Sequence, residues 1–412
     1  AKDGEDSNRI IADICRESVG AQQIVPIRRD ASPLHPSSQE HTPPEEAAAK
    51  RLIIAKSKSM TTEEIELTPY LEKEGFEVVE TDLGEYIVQI AGQMPSHITA
   101  PALHLSRQDV GKLFVEKLGV EYSEDPVELI GIARKVLREK FLKADIGITG
   151  ANFAIAETGT PMMVENEGNG RLVSAIPKTQ IIVMGLDKVV RSWDDLMIYL
   201  ELLPRSATGQ RMTGSVLFFN RPKLPDETDG PETIHLVILD NGRTQALADP
   251  DLRSILRCIR CGACLNVCPV YRRTGGHAYG WVYPGPIGSV LAPLFLGINQ
   301  AADHPFASSL CGRCTEFCPV KIPLHHHLLT LRSRIASDKS ISEMEKVGFT
   351  VWKGVMDRPE LYRGLSQLPR FILHDLMGGK WHPKTPLWGQ EHESISPAPR
   401  AFSDLFKDEF KL

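Results

Sequence analysis

Apolar residues recur at helical spacing over residues 7–19, where Ile10, Ile11 and Ile14 mark one face, and the pair Ile24-Val25 follows. From Pro26 to Glu46 the pattern stops. Pro33, Pro36, Pro43 and Pro44 stand among Ser, His and Glu, which excludes a helix and predicts an irregular insert over 26–46. Leu52-Ile53-Ile54-Ala55 restarts the order as a short, buried-type strand. Thr61-x-x-Glu64 reads as a capping box opening a helix through Leu71. Segments 77–80, 86–90, 145–149, 160–164 and 180–184 read as strands, and 110–118 and 127–141 as amphipathic helices. Helices set between short β-rich runs predict an α/β domain with a largely parallel sheet. A strand over 235–240 runs into Asn241-Gly242, a hairpin turn signal, and closes that domain.

From Leu252 to Ile335 the chain turns to cysteines, Gly/Pro loops and short helices. Residues 342–377 read as mostly helical, and the tail from Gly378, rich in Pro, Trp and Gly, as an extended arm packing across the other parts. The expected division is an α/β domain over 1–248, a cysteine domain over 249–335 and a C-terminal region over 336–412. No repeat of solenoid period is visible beyond the cysteine motif itself.

Composition narrows the chemistry. The 412 residues are 42% hydrophobic and 24% charged, an ordinary globular balance. A net charge of −6, with no Lys/Arg-dense block, argues against a nucleic-acid binder. Eight cysteines are too sparse for a disulfide-stapled scaffold, and seven of them fall in two short clusters, which points to metal. Cys15 stands apart and reads as a small buried hydrophobe. The longest apolar stretch, 286–298, is broken by Gly288, Pro293 and Gly297 and is shorter than the ~20 residues of a membrane span. The chain opens on Ala1 without a methionine, so further residues are expected before it, and no signal peptide pattern is visible. The expectation is a soluble, cytoplasmic protein in a reducing compartment, reaching the membrane, if at all, through partners.

The first cluster, Cys258-Ile-Arg-Cys261-Gly-Ala-Cys264-Leu-Asn-Val-Cys268-Pro269, is the C-x2-C-x2-C-x3-C-P run of bacterial ferredoxins. Three thiolates at that spacing wrap a tight turn around an iron–sulfur cube, and Gly262 lets the backbone approach. A zinc ribbon, the competing reading, wants two C-x2-C pairs in tetrahedral array. The second cluster, Ser308-Ser-Leu-Cys311-Gly-Arg-Cys314-Thr-Glu-Phe-Cys318-Pro319, repeats the first with Ser308 in place of the leading cysteine. Exchange of the fourth cysteines, as in two-cluster ferredoxins, gives Cys258, Cys261, Cys264 and Cys318 to one 4Fe–4S cluster. Cys268, Cys311 and Cys314 go to the other. Its fourth iron is then bound by Ser308 or another oxygen or nitrogen donor, or is lost to leave a 3Fe–4S cluster. The alternative is that Ser308 only caps the following helix while some other group ligates.

Other features are less specific. His325-His326-His327 would point in three directions on one helix, so a solvated or partner-facing helix start is expected. The glycine-rich stretch from Gly275 to Gly288 lacks the lysine of a phosphate loop and reads as a cover for the clusters. Lys56-Ser57-Lys58-Ser59 lies at a strand-to-helix junction, and residues 149–160 put small and polar side chains at a strand end. Open α/β sheets bind ligands at such places, although both segments equally suit turns and caps. No Ser-His-Asp or Cys-His dyad and no G-x-G-x-x-G fingerprint is legible.

Together these residues resemble the bacterial lactate-utilisation iron–sulfur protein B family. The resemblance runs through Lys56-Ser-Lys-Ser-Met60, Glu80-Thr-Asp-Leu-Gly-Glu-Tyr86, Pro95-Ser-His97, Thr149-Gly-Ala-Asn-Phe-Ala-Ile-Ala-Glu-Thr-Gly159, Asp240-Asn-Gly-Arg243, Gly275-Gly-His-Ala-Tyr-Gly280 and the seven cysteines. It implies a LUD domain, similar to sugar-phosphate isomerase and CoA-transferase folds, then an α-helical two-cluster ferredoxin-like domain and a helical or extended tail. It further implies an electron-transfer subunit of a three-component system oxidising L-lactate to pyruvate, beside a cysteine-rich iron–sulfur subunit and a second LUD protein. A redox sensor or scaffold whose LUD domain binds an anionic metabolite is the alternative. The 26–46 stretch departs from the family as an insertion.

Overall fold

The computed structural model describes residues 1–19, 52–337, 343–370, 398, 400 and 402–410. The 26–46 insert and the Ile24-Val25 pair lie outside the described residues, as do 371–397. Two compact units emerge, Ala1–Ile335 and Ala336–Leu412.

The first unit is built on nine strands: β1 (Ile53–Lys56), β2 (Glu77–Glu80), β3 (Ile146–Gly150), β4 (Phe153–Ile155), β5 (Thr160–Glu165), β6 (Thr179–Gly185), β7 (Val189–Val190), β8 (Ser215–Phe218) and β9 (Thr233–Leu239). Five form a wholly parallel sheet in the order β2-β1-β3-β6-β9. The others form a smaller mixed sheet, β7-β4-β5-β8. Every residue of β1, β3 and β6 is buried, because a parallel sheet is covered on both faces. Alternation then divides the side chains. Ile54, Ile148, Ile181 and Val183 meet Ile11, Leu67 and Leu71 on one face, while Ile53, Ala55 and Val79 meet Tyr86, Leu137 and Phe141 on the other. Cys15 is fully buried among the first set, where burial pushes its thiol up to about 12.

Three local expectations fail. Residues 86–90 belong to the helix Leu83–Ala91, not a strand: Asp82 accepts a hydrogen bond from the Glu85 N–H and Gly92 ends the helix in the left-handed region. The buried side of that helix takes Tyr86, Ile87 and Val88, so β-branched propensity yields to packing. The expected capping box at Thr61 is absent. The helix Met60–Glu64 starts two residues earlier, behind Ser59, and Glu66, at φ 52°, separates it from Leu67–Lys73. Asn241 and Gly242 do take positive φ, 43° and 86°, but they turn a parallel edge strand into the helix Arg243–Ala248 and make no hairpin.

Beyond Leu252 short helices surround the cysteines. Their core, with Leu265, Tyr271, Tyr283, Ile287 and Val290, is continuous with Met60 and Ile98 of the α/β part. Ile259 and Cys261 also pack with Phe153, Met162 and Leu196 of the smaller sheet. The histidine run sits at the start of the helix Leu324–Ser337, but it is not simply solvated. His327 is buried 2.7 Å from Ser254 Oγ, His325 lies 2.7 Å from Thr315 Oγ1, and only His326 is exposed.

The second unit, taken alone, has helices Glu343–Met356, Pro359–Arg370 and Phe402–Phe410, the last within a tail expected to be extended. No helix among the described residues is long and apolar enough to cross a membrane.

Candidate iron–sulfur site and the cleft beside it

The two cysteine motifs fold as near copies. Gly262 and Gly312 take φ 76° and 79°, opening the short helices Ala263–Asn266 and Arg313–Glu316. Cys268, followed by Pro269, opens the helix Pro269–Thr274. The motifs interleave in space. One cavity is lined by Cys258, Cys261, Cys264 and Cys318, closed by apolar Ile98, Ile287 and Leu324. Burial is the main cause that pushes Cys261 up to about 11, and the nearby charges of Cys258 and Cys318 oppose its ionisation further. Burial likewise pushes Cys314 up to about 11, with Cys268 and Cys311 as its thiol neighbours.

These groups suit an iron–sulfur cluster. Thiols buried this way ionise only when a metal takes the proton's place. A cluster spreads its corners one to each thiolate, which suits four thiols lining one cavity. Backbone N–H groups of Arg260, Tyr271 and Ile322 point at Cys258, Cys268 and Cys318 Sγ at 3.4, 3.5 and 3.3 Å. The buried Tyr279 hydroxyl, near Cys268 and Cys264, has no hydrogen-bond partner. Ser308 spends its hydroxyl locally, accepting from the Leu310 N–H at 3.1 Å, while Leu310 takes φ 55°.

A buried charge network joins this region to the α/β core. Arg243 donates to both Glu64 oxygens at 2.9 and 2.8 Å and, through Nε, to Asp187 Oδ1 at 2.6 Å. Lys188 Nζ donates to Asp187 Oδ2 and to the Cys258 carbonyl, each at 2.6 Å. Arg260 Nη2 stands 3.8 Å from Asp187, and the Tyr283 hydroxyl donates to Glu64 at 2.9 Å. Burial alone would raise the Asp187 pKa, but Lys188, Arg260 and Arg243 outweigh it and hold the carboxyl well below its ordinary value. Three cations against two carboxylates leave one net positive charge beside Cys258.

His97 lies against the first motif: a Cβ on Gly262 would come within 3.1 Å of its ring. Its Nδ1 accepts from the Thr99 and Ala100 N–H groups, and burial lowers its pKa, so the ring is neutral. Sequence reading passed over Asp187, Lys188 and Arg260. Arg260, inside the motif, was the only one with a signal near it.

The Lys56–Ser59 segment divides its roles. Lys56 is fully buried and committed to Glu63 and Glu80, each at 2.8 Å, so it is closed to a ligand. Lys58 faces a cleft of about 360 Å³, where Gly150, Ala151 and Asn152 of the 149–160 stretch also lie. Asn152 doubles as a turn residue, accepting from the Val164 N–H.

A LUD domain model matches residues 1–239, and a 4Fe-4S dicluster domain model matches 254–322. Lactate utilization protein B of Bacillus licheniformis is 48% identical over 377 residues, covering 87% of this chain and 76% of that protein. Its namesake from Bacillus subtilis is 51% identical over 347 residues, covering 84% and 70%. A Bacillus cereus relative of the same name is 47% identical over 363 residues, covering 87% and 76%. With a LUD α/β region and an iron–sulfur region on one continuous core, the chain belongs to the lactate utilization protein B family and has a role in lactate utilisation.

Proposed function

We propose that this chain is the iron–sulfur electron-transfer subunit of a system that oxidises L-lactate to pyruvate, working beside a cysteine-rich iron–sulfur subunit and a second LUD-domain protein. The division of labour follows the proposed domains: LUD over 1–248, two clusters over 249–335 and a family-specific region over 336–412. Cys258, Cys261, Cys264 and Cys318 would hold one 4Fe–4S cluster, and Cys268, Cys311 and Cys314 a second with an incomplete thiolate set. The carrying observation is the cavity that gathers three thiols of the first motif and one of the second.

Such clusters, when bound, supply one-electron storage at a potential set by charge, hydrogen bonds and exposure. The chain contributes each of these. Backbone N–H groups withdraw density from Cys258 and Cys318, and the net positive network beside Cys258 favours the more negative, reduced state. Cys311 is the one exposed cysteine of the seven, which suits an edge where a partner approaches. Lactate chemistry is assigned to the assembled system, in which this chain carries electrons.

Iron analysis and low-temperature electron paramagnetic resonance on anaerobic protein test this reading, with about seven to eight irons per chain expected. Cys258→Ser and Cys318→Ser should damage the same signal. Stoichiometric zinc without iron would refute the function, and a Cys318→Ser lesion confined to the Cys311/Cys314 cluster would refute the ligand sets.

A further inference from the structure

The cleft of about 360 Å³ lies where β1 and β3 end, between Lys58 and Gly150 on one side and the Ile259-Arg260 segment of the first cysteine motif on the other. Ligands of open α/β sheets sit at such strand ends. Several of its polar groups are already committed. Lys188 is held by Asp187 and the Cys258 carbonyl, and Asp82 accepts from the Glu85 N–H. Glu167 accepts a long bond from the Leu83 N–H.

Three buried atoms of the wall have no hydrogen-bond partner: Lys58 Nζ, Arg260 Nη1 and Glu165 Oε1. Their side chains or residues are nearly enclosed, 16% exposed for Lys58, 11% for Arg260 and 8% for Glu165. The nearest carboxylate to Lys58 is Glu85, at 3.6 Å. Burial is the main cause that pushes Glu85 up to about 8, which weakens its pairing with Lys58 near neutral pH, and Lys58 Nζ has no hydrogen-bond acceptor. Arg260 keeps its ion pair with Asp187 and Lys58 its contact with Glu85, but the hydrogen bonds of Arg260 Nη1, Lys58 Nζ and Glu165 Oε1 are unmade. Unmade bonds are costly for buried groups, so the wall is complementary to a molecule supplying what is missing. That is an anionic acceptor for the two cations and a proton donor for Glu165. Glycines let the wall pack closely on itself: a Cβ on Gly170 would fall 2.3 Å from Met163 Cε, and one on Gly150 2.7 Å from Ser59 Oγ.

We propose that this cleft is a binding site for a hydroxycarboxylate, whose carboxylate faces Lys58 and Arg260 and whose hydroxyl donates to Glu165. The volume admits acids longer than three carbons. The site stands on the cleft's own groups and not on the electron-carrier reading, which iron content and the cysteine variants test separately.

Isothermal titration calorimetry on the oxidised, anaerobic holoprotein with L-lactate, D-gluconate, propionate and inorganic phosphate tests it. At least one hydroxy acid should bind saturably and about tenfold tighter than propionate, which lacks the hydroxyl, and tighter than phosphate. Lys58→Met should weaken that acid about tenfold or more, Glu165→Met should erase its advantage over propionate, and the exposed Lys112→Met should change neither. Iron content and melting temperature check that the variants are folded, and the wild-type acid series decides the question if they are not. Absence of saturable binding by both hydroxy acids, equal affinity for propionate, tighter binding of phosphate, or a folded Lys58→Met with wild-type affinity would each overturn the proposal.

Discussion

Asp187→Asn removes one charge from the buried network while keeping its shape. The side chain is fully enclosed, and its two oxygens take the Arg243 Nε and Lys188 Nζ hydrogens at 2.6 Å, with Arg260 at 3.8 Å. An asparagine amide can accept from only one side and presents N–H groups to the other, so one cation faces a donor. Breaking a buried ion pair from one side costs about 3–5 kcal/mol. At roughly 2 °C per kcal/mol for a large unit, the melting temperature should fall by about 6–10 °C. Scanning calorimetry on anaerobic protein of matched iron content measures it. The pH dependence has a definite sign. The native Asp187 pKa lies below its ordinary 3.8, so its contribution is present above that value and is lost as the pH falls through the native pKa. The gap between wild type and variant should therefore be flat between about pH 5 and 8 and close only on stronger acidification. A loss under about 1 kcal/mol with full iron content, or a gap that widens toward acid, would refute the reasoning.

Two further perturbations probe the motifs. Ser308→Cys should complete the second motif, lower the potential of that cluster and protect it from conversion to a three-iron form in air, because a thiolate donates more charge than a hydroxyl or water. Unchanged potential and oxygen sensitivity would leave Ser308 as the turn residue that its bond to Leu310 describes. Gly276→Ala places a Cβ 1.8 Å from the Ser96 carbonyl oxygen and should cost about 1–3 kcal/mol by prising the Gly275–Gly280 stretch from the His97 segment. Chemical denaturation that finds the variant as stable as wild type would show that this contact yields freely.

The sequence alone determined what depends on short-range spacing. Seven cysteines in two runs specify iron–sulfur chemistry because three ligands within seven residues define a local loop, whatever surrounds it. Helical segments set between the short β-rich runs at Ile53, Ile146 and Gln180 specify the parallel sheet because parallel neighbours need a crossover connection. Tertiary packing overruled the local signal at Ile87 and Val88, where β-branched residues read as strand but fill the buried side of a capped helix. It also assigned Lys56 to an ion pair and left its neighbour Lys58 facing the cleft, although the two stand in one four-residue motif. The network of Glu64, Asp187 and Arg243 was invisible in the chain. Its members are separated by as many as 179 residues, and a charge buried in a low-dielectric core takes its partner from whatever the fold brings within 3 Å.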